Sequence, residues 1–314
     1  MVFALAAAFL MTLATLASGQ TGQSLKIIVP YPPASGPDIL SRLIADQVGR
    51  AQNMTVVIEN RPGGGTTIGT EAAARAAPDG GTVLLVANSF VVNPALKKGN
   101  YDVSGSFEPV CQLAATPILL VVKIDSPYRF VGDLIAAARA KPGELSVAGA
   151  PASSLQIAYE VFKRGPDISM TYVPYPGTAP AINALMGGHV TAVSADYPTV
   201  VPYLQAGTIR ALVTASPKRV EALPEVPTFA EAGLTRYEDE IFYGYMVPAN
   251  TPADAIKQLA GWFIGAMSAS DVKPKLAQQG LFTSMRCGED FAAYLRNRIE
   301  EYGRVVREAG IKAE

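Results

Sequence analysis

Residues 26–40 read Lys26-Ile27-Ile28-Val29-Pro30-Tyr31-Pro32-Pro33-Ala34-Ser35-Gly36-Pro37-Asp38-Ile39-Leu40. Lys26 to Pro30 make a short apolar strand. The loop from Tyr31 to Gly36 is rich in turn formers. Pro37 suits the first turn of a helix, where a missing N–H costs nothing. Ile39, Leu40, Leu43, Ile44 and Val48 then recur on one helical face as far as about Arg50. Strand, loop and helix in this order are the unit of an α/β fold with a parallel sheet.

The same order repeats outward. Thr55 to Ile58 is a strand, Arg61-Pro62-Gly63-Gly64-Gly65 a loop and Ile68 to Ala77 a helix. Pro78-Asp79-Gly80-Gly81 turns into a strand from Thr82 to Ala87. A second set has strands near 118–122, 145–148, 170–173, 190–194 and 209–214. Helices near 131–140, 153–163, 178–186 and 200–205 lie between them. Pro217 to Pro227 carries three prolines and reads as a crossing segment. A last strand from Ile241 to Val247 precedes a helical tail. In that tail Phe291, Tyr294, Leu295, Ile299, Tyr302 and Val306 share a face, and Gly310 suits the C-terminal cap. The expected architecture is α/β and two-lobed, with two sheets flanked by helices. Residues 25–122 and 225–314 form a discontinuous first lobe and 123–224 the second, with two interdomain crossings and a cleft between the lobes.

Composition narrows the function. The chain has 314 residues, 26 Lys plus Arg and 27 Asp plus Glu, a formal net charge of −1. Without a basic excess, nucleic acid is not the expected partner. The first charged residue is Lys26, and the run from Val2 to Ala17 is apolar save for Thr12 and Thr15. It softens into Ala17-Ser18-Gly19-Gln20, so residues 1–20 read as a signal peptide and the mature chain as exported to the periplasm. No Lys or Arg precedes this run, so the leader is expected to start further upstream. The two cysteines, Cys111 and Cys287, form no CxxC pair. They are expected to be unpaired and buried, with a disulfide as the alternative.

The strand-to-helix loops carry the candidate site. A helix start exposes N–H groups and a partial positive charge, which suits a carboxylate. Tyr31, Ala34, Ser35, Gly36, Pro37 and Asp38 make up the first such loop. Gly149-Ala150-Pro151-Ala152-Ser153-Ser154 is a second of the same kind, with Ser153 or Ser154 as cap. Taken alone, each reads as an ordinary capped turn. Two together, one per lobe and facing one cleft, read as an anion site. Tyr175 and Pro176 lie on a third loop, Asp196 and Tyr197 follow the next strand, and Asn88 follows the strand that ends at Ala87. All are candidate ligand-binding residues, set against packing for Tyr175 and a surface turn for Asp196 and Tyr197.

Catalytic patterns are poor. The segment from Gly63 to Gly69 lacks the GxGxxG spacing of a dinucleotide site, and close helix–strand packing is its expected purpose. His189, the only histidine, lies in a helix-to-strand turn away from these loops, and no GxSxG elbow is present. No metal-ligand cluster stands out, so no metal and no cofactor are expected, and no enzyme.

Several short segments carry a resemblance. They are Ile27-Ile28-Val29-Pro30-Tyr31-Pro32, Glu59-Asn60-Arg61-Pro62-Gly63, Pro78-Asp79-Gly80, Val173-Pro174-Tyr175, Gly207-Thr208-Ile209-Arg210-Ala211-Leu212, Leu223-Pro224-Glu225-Val226-Pro227-Thr228 and Ala309-Gly310-Ile311-Lys312. In order and spacing they resemble the Bug-type receptors of tripartite tricarboxylate transporters, from about Lys26 to Ala313. The resemblance implies a type II-like periplasmic-binding fold that closes on a carboxylated solute. It implies that the loops at 31–38 and 150–154 grip one carboxylate, with ordered water helping. The family's first loop is glycine-rich with Thr before the Asp. Here Ser35 and Pro37 stand at the glycine and Thr positions, and Gln156 stands where the second loop usually has histidine. The resulting expectation is a monomeric extracytoplasmic receptor for a small organic carboxylate, either a dicarboxylate or an aromatic one. It would deliver the solute to membrane transporter subunits; the alternative is a sensor that presents the solute to a signalling partner.

Overall fold

The computed structural model describes residues 24–96, 99–234 and 237–312. The expected signal peptide at 1–20 lies outside them. The first half runs β1 (Ser24–Val29), α1 (Gly36–Gln52), β2 (Thr55–Asn60), a 3-10 turn (Gly64–Thr66), α2 (Thr67–Ala74), β3 (Thr82–Val86) and α3 (Asn88–Ala95). Next come β4 (Phe107–Lys123), α4 (Val131–Ala140), β5 (Ser146–Gly149), α5 (Ser154–Arg164), β6 (Thr171–Pro174) and α6 (Thr178–Met186). They are followed by β7 (Ala192–Asp196), α7 (Tyr197–Gln205) and β8 (Ile209–Thr214). The tail is β9 (Glu240–Pro248), α8 (Ala253–Met267), α9 (Val272–Gln278), β10 (Phe282–Cys287) and α10 (Glu289–Ala309).

Two separate sheets were expected, and the structure corrects this. One mixed sheet runs β2-β1-β3-β9-β4-β7-β5-β6, with β8 and β10 also paired to β4. The reason is β4, a strand of 17 residues. Its first part, Phe107 to Pro117, pairs antiparallel with β9, while Ile118 to Val121 pairs with β7. The first part escapes a sequence reading because Pro109 and Pro117 interrupt it. Proline removes a ladder donor, and the register with β9 shifts between Pro109 and Cys111 and again between Gln112 and Ala114. Parallel pairing holds on either side of the β9–β4 centre, as β1 with β2 and β3, and as β5 with β6 and β7.

The tail strand β9 lies between β3 and β4 and is antiparallel to both. Helix α10 buries Phe291, Leu295, Tyr302, Val305 and Val306, and contacts both α3 and α5. Gly310 ends it at φ 64°, a left-handed value that a side chain would resist. The cysteine expectation is also corrected. Cys111 on β4 and Cys287 on β10 are register partners with Cα atoms 4.0 Å apart, and they form a disulfide. It closes a separation of 176 residues, worth on the order of 2–5 kcal/mol. Gly69 meets its expected purpose, since a Cβ there would lie 2.7 Å from the Pro30 Cβ and 2.8 Å from the Arg61 carbonyl oxygen.

Candidate ligand site

Two loops, each joining a strand end to a helix start, are built alike. Pro33-Ala34-Ser35 leads into α1, and Pro151-Ala152-Ser153 leads into α5. Ala34 and Ala152 take left-handed backbone angles, φ 64° and 51°. Such angles strain a residue with a Cβ, so both need local support. In each loop the support comes from four residues on. The Ala34 N–H donates to Asp38 Oδ2 at 2.8 Å, and the Ala152 N–H donates to Gln156 Oε1 at 2.7 Å. The serine hydroxyls also match, as Ser35 Oγ donates to the Pro32 carbonyl at 2.7 Å and Ser153 Oγ to the Ala150 carbonyl at 2.6 Å.

This disposes of the ordinary serine cap. Ser35 and Ser153 hold the N-cap positions of α1 and α5, yet neither side chain caps its helix. Both hydroxyls turn back into the loop. In α1 this leaves the N–H groups of Gly36 and Asp38 without a cap, Pro37 having none to offer. In α5 it leaves those of Ser154, Leu155 and Gln156. Ser194 Oγ on β7 donates to the Leu155 carbonyl at 2.7 Å, which fixes the α5 start to the sheet. An anion set before either helix start meets N–H donors and the positive end of the helix dipole.

Other candidates have different tasks. Asp38 is buried, and it takes hydrogen bonds from Ala34, from Arg42 Nε at 2.9 Å and from Asn60 Nδ2 at 2.8 Å. Burial pushes its carboxyl pKa up, but Arg42, Asn60 and the Ala34 N–H outweigh that and hold it below the ordinary aspartate value. It clamps the loop. Asn88 is buried as well. Its Nδ2 donates to the Glu240 carbonyl and to Tyr302 Oη, and its Oδ1 accepts the Phe242 N–H. It ties α3 to β9 and α10 with no polar atom left over. Asp196 caps α7 by accepting from Thr199 N and Oγ1, and it also accepts from Thr178 Oγ1 at the start of α6. It is a fastener of two helix starts and not the surface turn weighed against it.

The tyrosines divide. Tyr31 is half-buried, and its hydroxyl shares a 2.8 Å hydrogen bond with Ser89 Oγ. Burial pushes the phenol up to about 12, slightly eased by Ser89. Tyr175 is half-buried and its N–H donates to the Gly149 carbonyl, which sets the third loop beside the second. Pro176 next to it is exposed. Tyr197 is buried against Phe282, ring centroids 5.6 Å apart. His189 is exposed in its turn. Sequence reasoning missed Gln156 as the counterpart of Asp38, although the paired Pro-Ala-Ser triplets point to it. It also missed Tyr243 on β9, whose hydroxyl stands beside α1. Two cavities of about 390 and 490 Å³ lie elsewhere, one under α10 around Phe107 and Met246, the other around Phe130 and Leu212.

Comparison with known proteins gives a consistent picture. The profile described as tripartite tricarboxylate transporter family receptor matches residues 40–311. Protein BugT of Bordetella pertussis is 30% identical, over 92% of this chain and 90% of its own. A solved R. palustris protein with adipate is 29% identical with a TM-score of 0.78, covering 92% of this chain and 98% of that one. MatC of Rhodopseudomonas palustris, with bound malate, is 28% identical with a TM-score of 0.74, covering 90% and 98%.

Proposed function

Because this chain belongs to the tripartite tricarboxylate transporter receptor family, a family of non-enzymatic periplasmic solute receptors, we propose that it captures a small organic dicarboxylate for delivery to a transporter of that kind. The carboxylate is held at the starts of α1 and α5. Capture takes place outside the cytoplasm, in a cleft between one lobe of residues 25–122 and 225–314 and another of 123–224. The observation that carries this reading is the pair of Pro-Ala-Ser loops, each with its serine turned away from the helix it precedes. Uncapped N–H groups from two helices, with no Arg or Lys in either loop, suit a carboxylate bound by backbone donors. The adipate and malate in the solved relatives set the size range.

The test is a thermal-shift panel on protein unfolded and refolded to strip carried-over solute. Succinate, malate, glutarate, adipate and benzoate are each run beside the matching amide. A ligand that binds only the folded chain adds roughly 2.7 kcal/mol at a hundredfold excess over Kd. At least one acid is expected to stabilise the protein while its amide does not. Equal shifts from acids and amides, or no shift from any acid, overturn the reading. Mass spectrometry of solute released from freshly purified protein then names the ligand.

A further inference from the structure

Tyr243 lies on β9, opposite Ala114 of β4. Its side chain is 7% exposed, and its ring packs in the core of the first half with Leu40, Ile44 and Leu281. The hydroxyl leaves that core at one point. A Cβ built on Gly36, the first residue of α1, would lie 3.8 Å from Tyr243 Oη. The phenol therefore reaches the helix start whose N–H groups have no cap. Among the described residues no hydrogen-bond partner is found for this oxygen, in contrast to Tyr31 with Ser89 and Tyr245 with Ser41. A tyrosine nine-tenths buried, whose unpaired hydroxyl lies beside the uncapped start of α1, is placed to meet whatever binds there.

We propose that Tyr243 is a specificity-determining residue of the carboxylate site, its hydroxyl donating to the same carboxylate oxygen that the α1 start receives. The inference rests on the receptor reading above and adds a side-chain donor to the backbone donors. Burial first, then the negative charge of Asp196 and the neighbouring Tyr31, holds the Tyr243 proton in place far above neutral pH. The group is therefore a neutral donor throughout the range in which a receptor works. A carboxylate can accept from the phenol and from N–H groups at once, since each oxygen offers two lone pairs. A carboxamide can offer only its neutral carbonyl oxygen to the same donors, and hydrogen bonds to an ionised acceptor are the stronger. Discrimination between acid and amide then comes from this charge-assisted bond as much as from the helix dipole.

The experiment is titration calorimetry on wild type, Tyr243→Phe and Gly36→Ala, with whichever of succinate, malate, glutarate and adipate binds wild type tightest. Tyr243→Phe keeps the ring and removes only the oxygen. It is expected to weaken binding about 10-fold and narrow the gap between acid and amide, with the ligand-free melting temperature unchanged or raised. Gly36→Ala sets a methyl before the hydroxyl at ordinary contact distance, so the ligand-free fold tolerates it while binding weakens by a similar factor. Unchanged affinity and acid-to-amide ratio in both variants overturn the role of Tyr243. Failure of wild type to bind any of these acids overturns the receptor reading instead, so the two failures are distinct.

Discussion

The loops before α1 and α5 share a backbone and differ in what holds it. At the first, the acceptor four residues on is the carboxylate of Asp38, itself locked by Arg42 and Asn60. At the second it is the neutral amide of Gln156. One clamp is ionic and buried, the other neutral and half-buried. The difference shows that the left-handed alanine needs an acceptor at that spot, and that a charge is optional. A carboxylate so near the proposed anion site is tolerable at the first loop because Arg42 neutralises it. Among the described residues no such cation pairs with the acceptor at the second loop.

The largest expected effect comes from breaking the ionic clamp. Asp38→Ala leaves the Ala34 N–H without its acceptor and Arg42 without its ion-pair partner, while the Asn60 amide keeps only its bond to the Tyr31 carbonyl. Removing one member of a buried ion pair costs about 3–5 kcal/mol. Arg42 is half-exposed here, so about 3 kcal/mol is expected in urea unfolding, with ligand binding lost. A loss below about 1 kcal/mol would mean the loop keeps its shape without the clamp.

The next effect is on pH, and two buried aspartates pull in opposite directions. Asp38 is held below its ordinary value, so its stabilisation is present above that value and is lost as pH falls through the depressed one. Asp239, which opens the route into β9, is the reverse. Burial pushes it up to about 7, against Arg298 and the hydroxyls of Tyr302 and Tyr237 that favour its charge. The folded chain then binds a proton that the unfolded chain has released. This contribution is present in full below the ordinary aspartate value and is lost as pH rises through about 7. Stability is expected to fall by on the order of 4 kcal/mol from about pH 4 to 8. Asp239→Asn should flatten that slope in a urea midpoint series, whereas a slope unchanged in the variant assigns it elsewhere. The loss below pH 4 should remain in Asp239→Asn, because it belongs to Asp38 and to the other carboxyls held below their ordinary values, Glu59, Glu231 and Asp271.

Much of this was legible before any coordinates. The helices Val131–Ala140 and Thr178–Met186 and the strand Ile209–Thr214 stand where the apolar period put them, because that period reports burial directly. The first part of β4 was not legible, since prolines and bulges break the alternation. Nor was the fusion of two strand sets into one sheet, which depends on long-range pairing. At the site, the loops and their serines were visible, but the direction of a hydroxyl was not. Ser153 reads as a cap by type, and only the fold shows it donating backwards to Ala150. The bonds of Asn88 and the position of the Tyr243 hydroxyl were illegible for the same reason. An asparagine after a strand looks like a ligand contact, while a tyrosine inside an apolar strand looks like core, and residue type says nothing of where the polar end stops.

The neutral clamp gives a smaller effect and a sharper test. Gln156→Ala removes one hydrogen bond to the Ala152 N–H and is expected to cost about 1 kcal/mol, near a third of the Asp38→Ala loss. Gln156→Glu separates geometry from charge. Its carboxylate can still accept from Ala152, and a negative group in the first turn of α5 favours the helix dipole, so folding should change by less than about 1 kcal/mol. The same charge, with no Arg42 to answer it, faces the carboxylate it must help to hold. Binding of the tightest dicarboxylate is expected to weaken about 10-fold at pH 7, and the deficit relative to wild type to narrow as pH falls toward 4, where Glu takes up a proton. Equal affinity for Gln156→Glu and wild type at pH 7 would place the ligand away from the second loop.

The smallest effect separates loop shape from ligand contact. Ser35 and Ser153 each spend their one hydroxyl proton on a loop carbonyl, at 2.7 and 2.6 Å. A hydroxyl oxygen keeps acceptor lone pairs only, and a carboxylate offers no proton to fill them at neutral pH. Neither serine can therefore donate to a carboxylate without giving up its loop bond. If the hydroxyls act on loop shape alone, Ser35→Ala and Ser153→Ala each cost about 0.5–1 kcal/mol in urea unfolding and change dicarboxylate affinity less than about 3-fold. The Ser35 loss should be the smaller of the two, because the ionic clamp at Asp38 already fixes that backbone, while the second loop has only the amide of Gln156. If instead a serine turns over to donate to the ligand, its alanine variant loses affinity about 10-fold with stability nearly intact. Calorimetry beside unfolding on the two variants decides between these outcomes, one loop at a time.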